Sequence, residues 1–272
     1  MKGFIQARAL AVFLAIATCL FTGCTKEGSF EIPRATPGTV TGAAGKVSKI
    51  SSPANGDIIV EYNTDKTIKK VTSLNDPSTP GIAIYNLVYT SGVLTEMNGL
   101  IDDIKYTYTG GIVTKMDVSS LLSNVSGTYD FTYKNGFLTQ LDSYLKTSPP
   151  GLPPSMRFVY EYSANGNVQK MSIYFYKDAS KTLEKEEVVE YSDYDDKNNT
   201  IIMFDHAAYF PLQKPVALNN PGKETRYDNT GKVTETTIYT YTYDNTGNPV
   251  KRTAVTKVPG QQDKTDVTQI SY

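Results

Sequence analysis

Few side chains in this sequence are of a type and spacing that could do chemistry. There is one histidine, His206, and it follows Asp205. A Ser–His–Asp relay around it would need a serine from elsewhere, and no G-x-S-x-G turn is present to offer one. A lone histidine does not build a His-rich zinc site either. The run Asp193 to Asn199, D-Y-D-D-K-N-N, places oxygen ligands at alternate positions, as a calcium loop does. However, Lys197 stands at its fifth place, no glycine follows, and Phe204 takes the twelfth, where a bidentate Glu is needed. The run therefore reads as a solvated hairpin turn. Glu161 and Glu190 could serve glycoside hydrolysis if folding set them about 5–10 Å apart. The expectation is no catalytic residue, no metal and no cofactor. A hydrolase built on His206 or on an unrecognised carboxylate pair is the alternative.

What the chain holds in quantity is tyrosine, twenty of them with no tryptophan. Several stand two residues apart, as do side chains on one face of a strand: Tyr106 with Tyr108, Tyr160 with Tyr162, and Tyr239, Tyr241 with Tyr243. Tyrosine is a good cross-strand residue on a half-exposed sheet. Exposed rows of it would also make an aromatic platform for a glycan or peptide. The sequence leaves both open, and these seven are the candidate ligand-binding residues.

The start of the chain sets an address. Lys2 and Arg8 accompany an apolar run of thirteen residues, Ala9 to Phe21. That is short of the about 20 needed to span a bilayer and fits the core of a secretory signal. The run leads into Leu20-Phe21-Thr22-Gly23-Cys24. This resembles the bacterial lipobox, whose cysteine is diacylated, cleaved on its N-terminal side and acylated on the new amine. The resemblance implies a signal peptide over 1–23 and lipidation at Cys24. Acyl chains contributing about 0.8 kcal/mol per CH₂ would then tether the protein to a membrane without threading it through. Thr25, where inner-membrane retention would place Asp, points to the outer membrane, on either face.

Lys2 and Arg8 leave with the leader and no acid does, which takes 27 basic residues to 25 against 28 acidic, a net of −3. Such a surface has no electrostatic footprint for nucleic acid. Cys19 is lost with the leader and Cys24 carries lipid, so the mature chain has no disulfide or thiolate site. Residues 24–46, rich in Gly, Pro, Thr and Ala, read as a flexible linker. The rest, 47–272, is long enough for a core of its own.

From Val47 the chain repeats a short unit: an aromatic strand end, a polar turn, and a return strand. Its copies end at Tyr62, Tyr89, Tyr108, Tyr133, Tyr162, Tyr191, Tyr227 and Tyr243, spaced by 16 to 36 residues. Asn135-Gly136 is a strong signal for a two-residue type I′ turn, while the units at Tyr162, Tyr227 and Tyr243 place glycine one residue later, for a longer loop. In the return strands, alternation puts Val93, Thr95 and Met97 on one face, and likewise Ile112, Thr114, Met116 and Phe137, Thr139, Leu141. Thr182 to Val188 reads as the charged tip of a hairpin. Lys146 to Ser155, with four prolines, is a stiff surface loop. Ile201 to Phe204 is strand-like, and about 205–223 is a long apolar crossover that must cover one end or face of the sheet.

The expected fold is all-β: one domain over 47–272, an antiparallel meander of sequential hairpins with about 14–16 strands, curled into a half-barrel or barrel-like sheet. Tyr227-Asp-Asn-Thr-Gly-Lys-Val233 and Tyr243-Asp-Asn-Thr-Gly-Asn-Pro-Val250 resemble YD repeats of the RHS type. With Asn219-Asn220-Pro221 before them, the layout resembles Bacteroidota lipoproteins built from divergent copies of that repeat. The resemblance implies an exported β-meander and supplies no catalytic residues. The functional expectation is a membrane-tethered, non-catalytic envelope lipoprotein that binds a glycan, a peptide or another envelope protein, or acts as a scaffold.

Overall fold

The computed structural model describes residues 46–54, 56–74, 82–100, 102–120, 126–145, 153–199, 212 and 214–272. Cys24, the linker up to residue 45, Ile201 to Phe204, His206 and most of the 146–155 loop lie outside them. The strands are β1 (Lys49–Ser52), β2 (Gly56–Tyr62), β3 (Ile68–Leu74), β4 (Ile82–Thr90), β5 (Val93–Gly99), β6 (Asp102–Thr109), β7 (Ile112–Ser120) and β8 (Gly127–Lys134). There follow β9 (Phe137–Leu145), β10 (Met156–Tyr162), β11 (Val168–Lys177), β12 (Thr182–Ser192), β13 (Lys223–Asp228), β14 (Val233–Tyr243), β15 (Pro249–Lys257) and β16 (Lys264–Ser271). Each is antiparallel to its neighbours in the chain, and β1 also pairs with β16, so the meander closes into a barrel. Among the described residues there is no helix. The expected strand count, hairpin order and curvature are all present, and closure removes every sheet edge.

Turn chemistry explains the hairpins. Ser91-Gly92, Gly110-Gly111 and Asn135-Gly136 all have positive φ at both positions, the requirement of a type I′ turn. The longer turns close on Gly166, Gly231 and Gly247. The hairpin at Tyr62 has the same form without glycine, because Lys66 adopts φ 75° in its place.

The return strands depart from simple alternation. In the hairpins that follow Tyr62, Tyr89, Tyr108, Tyr133, Tyr162, Tyr227 and Tyr243, the register shifts by one residue at the tyrosine. The unpaired residue is Thr95 after Tyr89, Thr114 after Tyr108 and Thr139 after Tyr133. A β-bulge adds one residue and so inverts parity along the strand. The buried residues are consequently Leu94 with Met97, Val113 with Met116, and Leu138 with Leu141. The expected shared face of Val93, Thr95 and Met97, and its two counterparts, is corrected accordingly. The bulged threonines close the gap themselves, their Oγ1 atoms donating to the carbonyls of Val88, Thr107 and Thr132 across the hairpin.

Two further expectations change. Thr182 to Ser192 is one continuous strand, and the hairpin tip is at 178–181, where Lys181 has φ 56°. The Tyr227 unit also has the opposite polarity to Tyr243. Even-numbered strands run toward one end of the barrel, whereas Tyr227 closes an odd-numbered strand at the other. Its ring lies on the outer wall opposite Val188, and its hydroxyl donates to exposed Glu190.

A round barrel of sixteen strands is wide enough to hold a water-filled channel. This interior is filled. Met97, Ile104, Val113, Met116, Leu138, Leu141 and Val189 face inward with no solvent exposure, and one apolar cluster joins them to Tyr106, Phe131, Phe158 and Tyr160. Close packing explains Gly99 on β5, which pairs with Tyr85. A Cβ there would meet the Asp102 carbonyl and stand 2.7 Å from Tyr85 Cε1. Gly99→Ala should therefore lower stability in urea by about 1–3 kcal/mol, as overpacking does. An unchanged midpoint would mean that Tyr85 does not rest on this glycine.

Candidate functional site

The tyrosines assemble at one end of the barrel, where the even strands finish. The ladder between one hairpin and the next stops short of that end: β5 pairs β6 only from Glu96 onward, and β9 pairs β10 only from Gln140. The bulges part the strands there and leave carbonyls without a ladder N–H. Tyrosine hydroxyls replace it. Tyr62 donates to the Val47 carbonyl (2.8 Å), Tyr89 to Ile68 (3.0 Å), Tyr108 to Leu94 (2.7 Å) and Tyr162 to Leu138 (2.8 Å). Tyr194 donates to Val168 (2.5 Å) and Tyr272 to Pro249 (2.9 Å). Tyr133 holds the equivalent place, but its buried hydroxyl has no partner among the described residues. The girdle thus reaches from the first hairpin round to the last residue.

The described part of the crossover sits on this end. Val216 and Ala217 are buried against the core. The Asn219-Asn220-Pro221 motif holds the crossover in place. Asn167 Oδ1 accepts from the backbone N–H groups of Leu218 and Asn219 (2.8 and 3.0 Å), and Asn220 Nδ2 donates to Asp195. Tyr243 donates to the same Asp195 carboxylate, and Tyr241 to the Pro221 carbonyl (2.9 Å). The Asp193–Asn199 run is therefore a clasp for the crossover. No cluster of metal-ligating side chains occurs among the described residues.

The seven candidate tyrosines all point inward. Tyr106 and Tyr160 are 7% and 4% exposed and present no ring face to solvent. Tyr108, Tyr162 and Tyr241 are half-buried against the core. Tyr239 donates to Glu224 (2.9 Å), and the Arg252 guanidinium lies over its ring. Burial pushes the Tyr108, Tyr160 and Tyr162 hydroxyls well above the usual tyrosine range, so Tyr108 and Tyr162 donate as neutral groups.

The interior near β12–β14 is ionic. Arg226 donates to Glu224 (2.7 Å) and Glu187 (2.8 Å), with Glu235 at 3.6 Å. Burial works against its charge, but these carboxylates outweigh it and raise its pKa. A second polar spot is Asp102 on β6, 6% exposed, whose Oδ1 has no partner among the described residues. Burial raises its pKa, partly offset by a hydrogen bond from Ser120, and the Asp103 charge raises it further. Nearby Tyr129 is pushed up to about 12, chiefly by burial. Glu161 and Glu190 stand on the open outer wall either side of Lys170, which pairs with Glu161 at 3.1 Å. Sequence reasoning missed the Arg226 and Asp102 groups. Each stands on the inward side by simple alternation, Asp102 with Ile104 and Tyr106 and Arg226 with Glu224, a placement that no motif signals.

No protein-family model matches the chain, and no curated protein is found similar to it. Among solved structures, the fold is similar to a porin-like protein from Bacteroides uniformis, with 16% identity and a TM-score of 0.56 over 83% of this chain and 96% of that one. It is also similar to a porin-like protein from Bacteroides vulgatus, with 13% identity and a TM-score of 0.52 over 84% and 99%. At these identities the likeness is one of fold.

Two outcomes test this end and the interior. Tyr162→Phe should cost about 1 kcal/mol, the net worth of one hydrogen bond, whereas Tyr133→Phe should be neutral or stabilising because it removes an unpaired buried hydroxyl. Equal losses in chemical denaturation would contradict the girdle. For Asp102 the folded pKa is raised, so its contribution to stability is present below the unfolded pKa and is lost as pH rises through the folded one. Asp102→Asn should therefore raise the melting temperature at pH 7 and have little effect near pH 4. A variant less stable than wild type at pH 7 would show that the charged carboxylate is needed.

Proposed function

We propose that this protein is a lipid-tethered envelope lipoprotein whose barrel stands in water beside the membrane and works as a non-catalytic binding or scaffold module. The observation that carries this is the polarity of the wall. A barrel that spans a bilayer faces lipid with apolar side chains and keeps its polar ones inside. Here outward positions carry ion pairs, Lys70 with Glu61 (2.9 Å), Lys170 with Glu161 (3.1 Å) and Lys105 with Glu96 (3.5 Å), while most inward positions belong to the apolar core. Lysines at the bilayer midplane cost about 2–4 kcal/mol each, which disfavours insertion.

The likeness to Bacteroides porin-like proteins supports an envelope setting, and the lipobox at Cys24 supports the means of attachment. The resemblance to YD-repeat lipoproteins fits the turn units at Tyr227 and Tyr243. On this reading the outer membrane holds the acyl chains, and the linker 24–46 joins the barrel at the tyrosine end, since Lys46 and Tyr272 both lie there. Its extended reach is roughly 75 Å. The opposite end and the outer wall then face away from the lipid.

An alkyne fatty acid fed to cells should label the wild type and leave Cys24→Ser unlabelled; equal labelling would remove the anchor. Purified protein in a planar bilayer should give no conductance steps. Reproducible channels would overturn the water-standing barrel.

A further inference from the structure

We infer that the outer wall over β8–β11 is a binding surface for a neutral glycan, centred on Arg157 and Tyr174. The inference rests on the reading of the barrel as a water-standing binding module, and it places the ligand on residues other than the inward tyrosines. Asp130, Asp142, Arg157 and Tyr174 are direct cross-strand partners on four adjacent strands, so they form one outward row. Gln140 and Tyr144 stand two residues either side of Asp142 on the same face. From Tyr144 to Tyr174 the backbone separation is roughly 12 Å, from the strand spacing and rise. Linked sugar rings, rather than a single one, would bridge that span.

The polar centre of the row is held rigidly. Asp142 is buried although it faces outward. Arg157 grips it with two parallel bonds, Nε to Oδ1 at 2.6 Å and Nη2 to Oδ2 at 2.8 Å, and Gln140 Nε2 adds a third at 3.0 Å. A bidentate pair of this kind fixes the guanidinium plane. Among the described residues, Nη1 makes no hydrogen bond and is left as a donor. Beside it, Asp130 is exposed and offers acceptors. Burial holds the Tyr144 hydroxyl above its usual range, and the Asp142 and Asp130 charges add to this. Two partly exposed rings, Tyr144 and Tyr174, beside a fixed donor and an acceptor offer stacking together with hydroxyl recognition.

The chemistry of the wall selects among ligands. A peptide adding as a strand needs a free sheet edge, and the closed barrel has none. A helix needs an apolar groove, and this wall is a charged, aromatic sheet face. Charge argues against acidic sugars. Asp142 cancels Arg157, Lys115 is engaged with Asp117 at 3.2 Å, and Asp130 would repel a carboxylate.

The test uses the mature lipoprotein carried by its own anchor on phosphatidylcholine vesicles. Fluorescent dextran, β-mannan and xyloglucan oligosaccharides, and polygalacturonate as the acidic comparison, are added and vesicle-bound fluorescence is read. At least one neutral glycan should bind. Tyr174→Ala and Arg157→Ala should each weaken it by about tenfold, the effect of losing one anchor residue. Thr107→Ala, elsewhere on the outer wall, should bind as the wild type does. If Arg157→Ala misfolds by circular dichroism, Tyr174→Ala decides alone. Absence of binding to all three neutral glycans, unchanged binding in Tyr174→Ala, or stronger binding to polygalacturonate would overturn the inference. Protein that fails to stay on the vesicles would instead count against the anchor.

Discussion

Six return strands, β3, β5, β7, β9, β11 and β15, carry a bulge at the tyrosine end, and that extra residue creates a need that the tyrosines meet. The bulge turns the first core residue of the strand inward while parting it from the neighbouring hairpin, so that the carbonyls of Leu94, Leu138, Val168 and their equivalents lose their ladder donors. A buried carbonyl without a partner costs about 1–3 kcal/mol. Donation from Tyr108, Tyr162 and Tyr194 meets that need, because a tyrosine is long enough to span the gap and its hydroxyl is neutral in a dry site. The girdle joins hairpin to hairpin where the backbone no longer does. The dense tyrosine content is thus explained by backbone satisfaction before any ligand is considered.

From the same bulges follows the division between wall and interior. With parity reset in those hairpins, most Lys and Glu point outward and most Leu, Met and Val inward, while Tyr144, Tyr174 and Tyr227 stay on the wall. The interior is not uniformly apolar. Arg226 with its three glutamates and the Arg252–Tyr239 contact occupy the side formed by the last strands, where the sequence is richest in threonine and charge. A buried ionic group of this kind adds little net stability once desolvation is counted. It does keep that side of the interior polar.

Much of the architecture was legible in the sequence, and for identifiable reasons. Asn135-Gly136 and the turn glycines announce hairpins through backbone constraint alone. Their spacing announces a meander, and the apolar stretch before Asn219 announces a cover. Parity was not legible, since Thr95, Thr114 and Thr139 look like ordinary strand residues and only the pairing shows that they are bulged. For that reason simple alternation assigns the wrong face to the start of these return strands. The Tyr227 and Tyr243 units are nearly identical in sequence yet close opposite ends, because turn chemistry does not record which strand of the meander it follows. The row at Asp142, Arg157 and Tyr174 was invisible for a different reason: its members are drawn from separate strands with no motif between them.

The central claim is that the barrel is dry inside and wet outside. No cysteine lies among the described residues, so single cysteines can be placed along β8 and their labelling by a water-soluble maleimide measured with the protein mixed with lipid vesicles and without them. The account predicts fast labelling at Thr128, Asp130 and Thr132 and protection at Tyr129 and Phe131, with or without lipid. Labelling at Tyr129 and Phe131, with the outward positions shielded by lipid, would contradict it and make the barrel a membrane-spanning one.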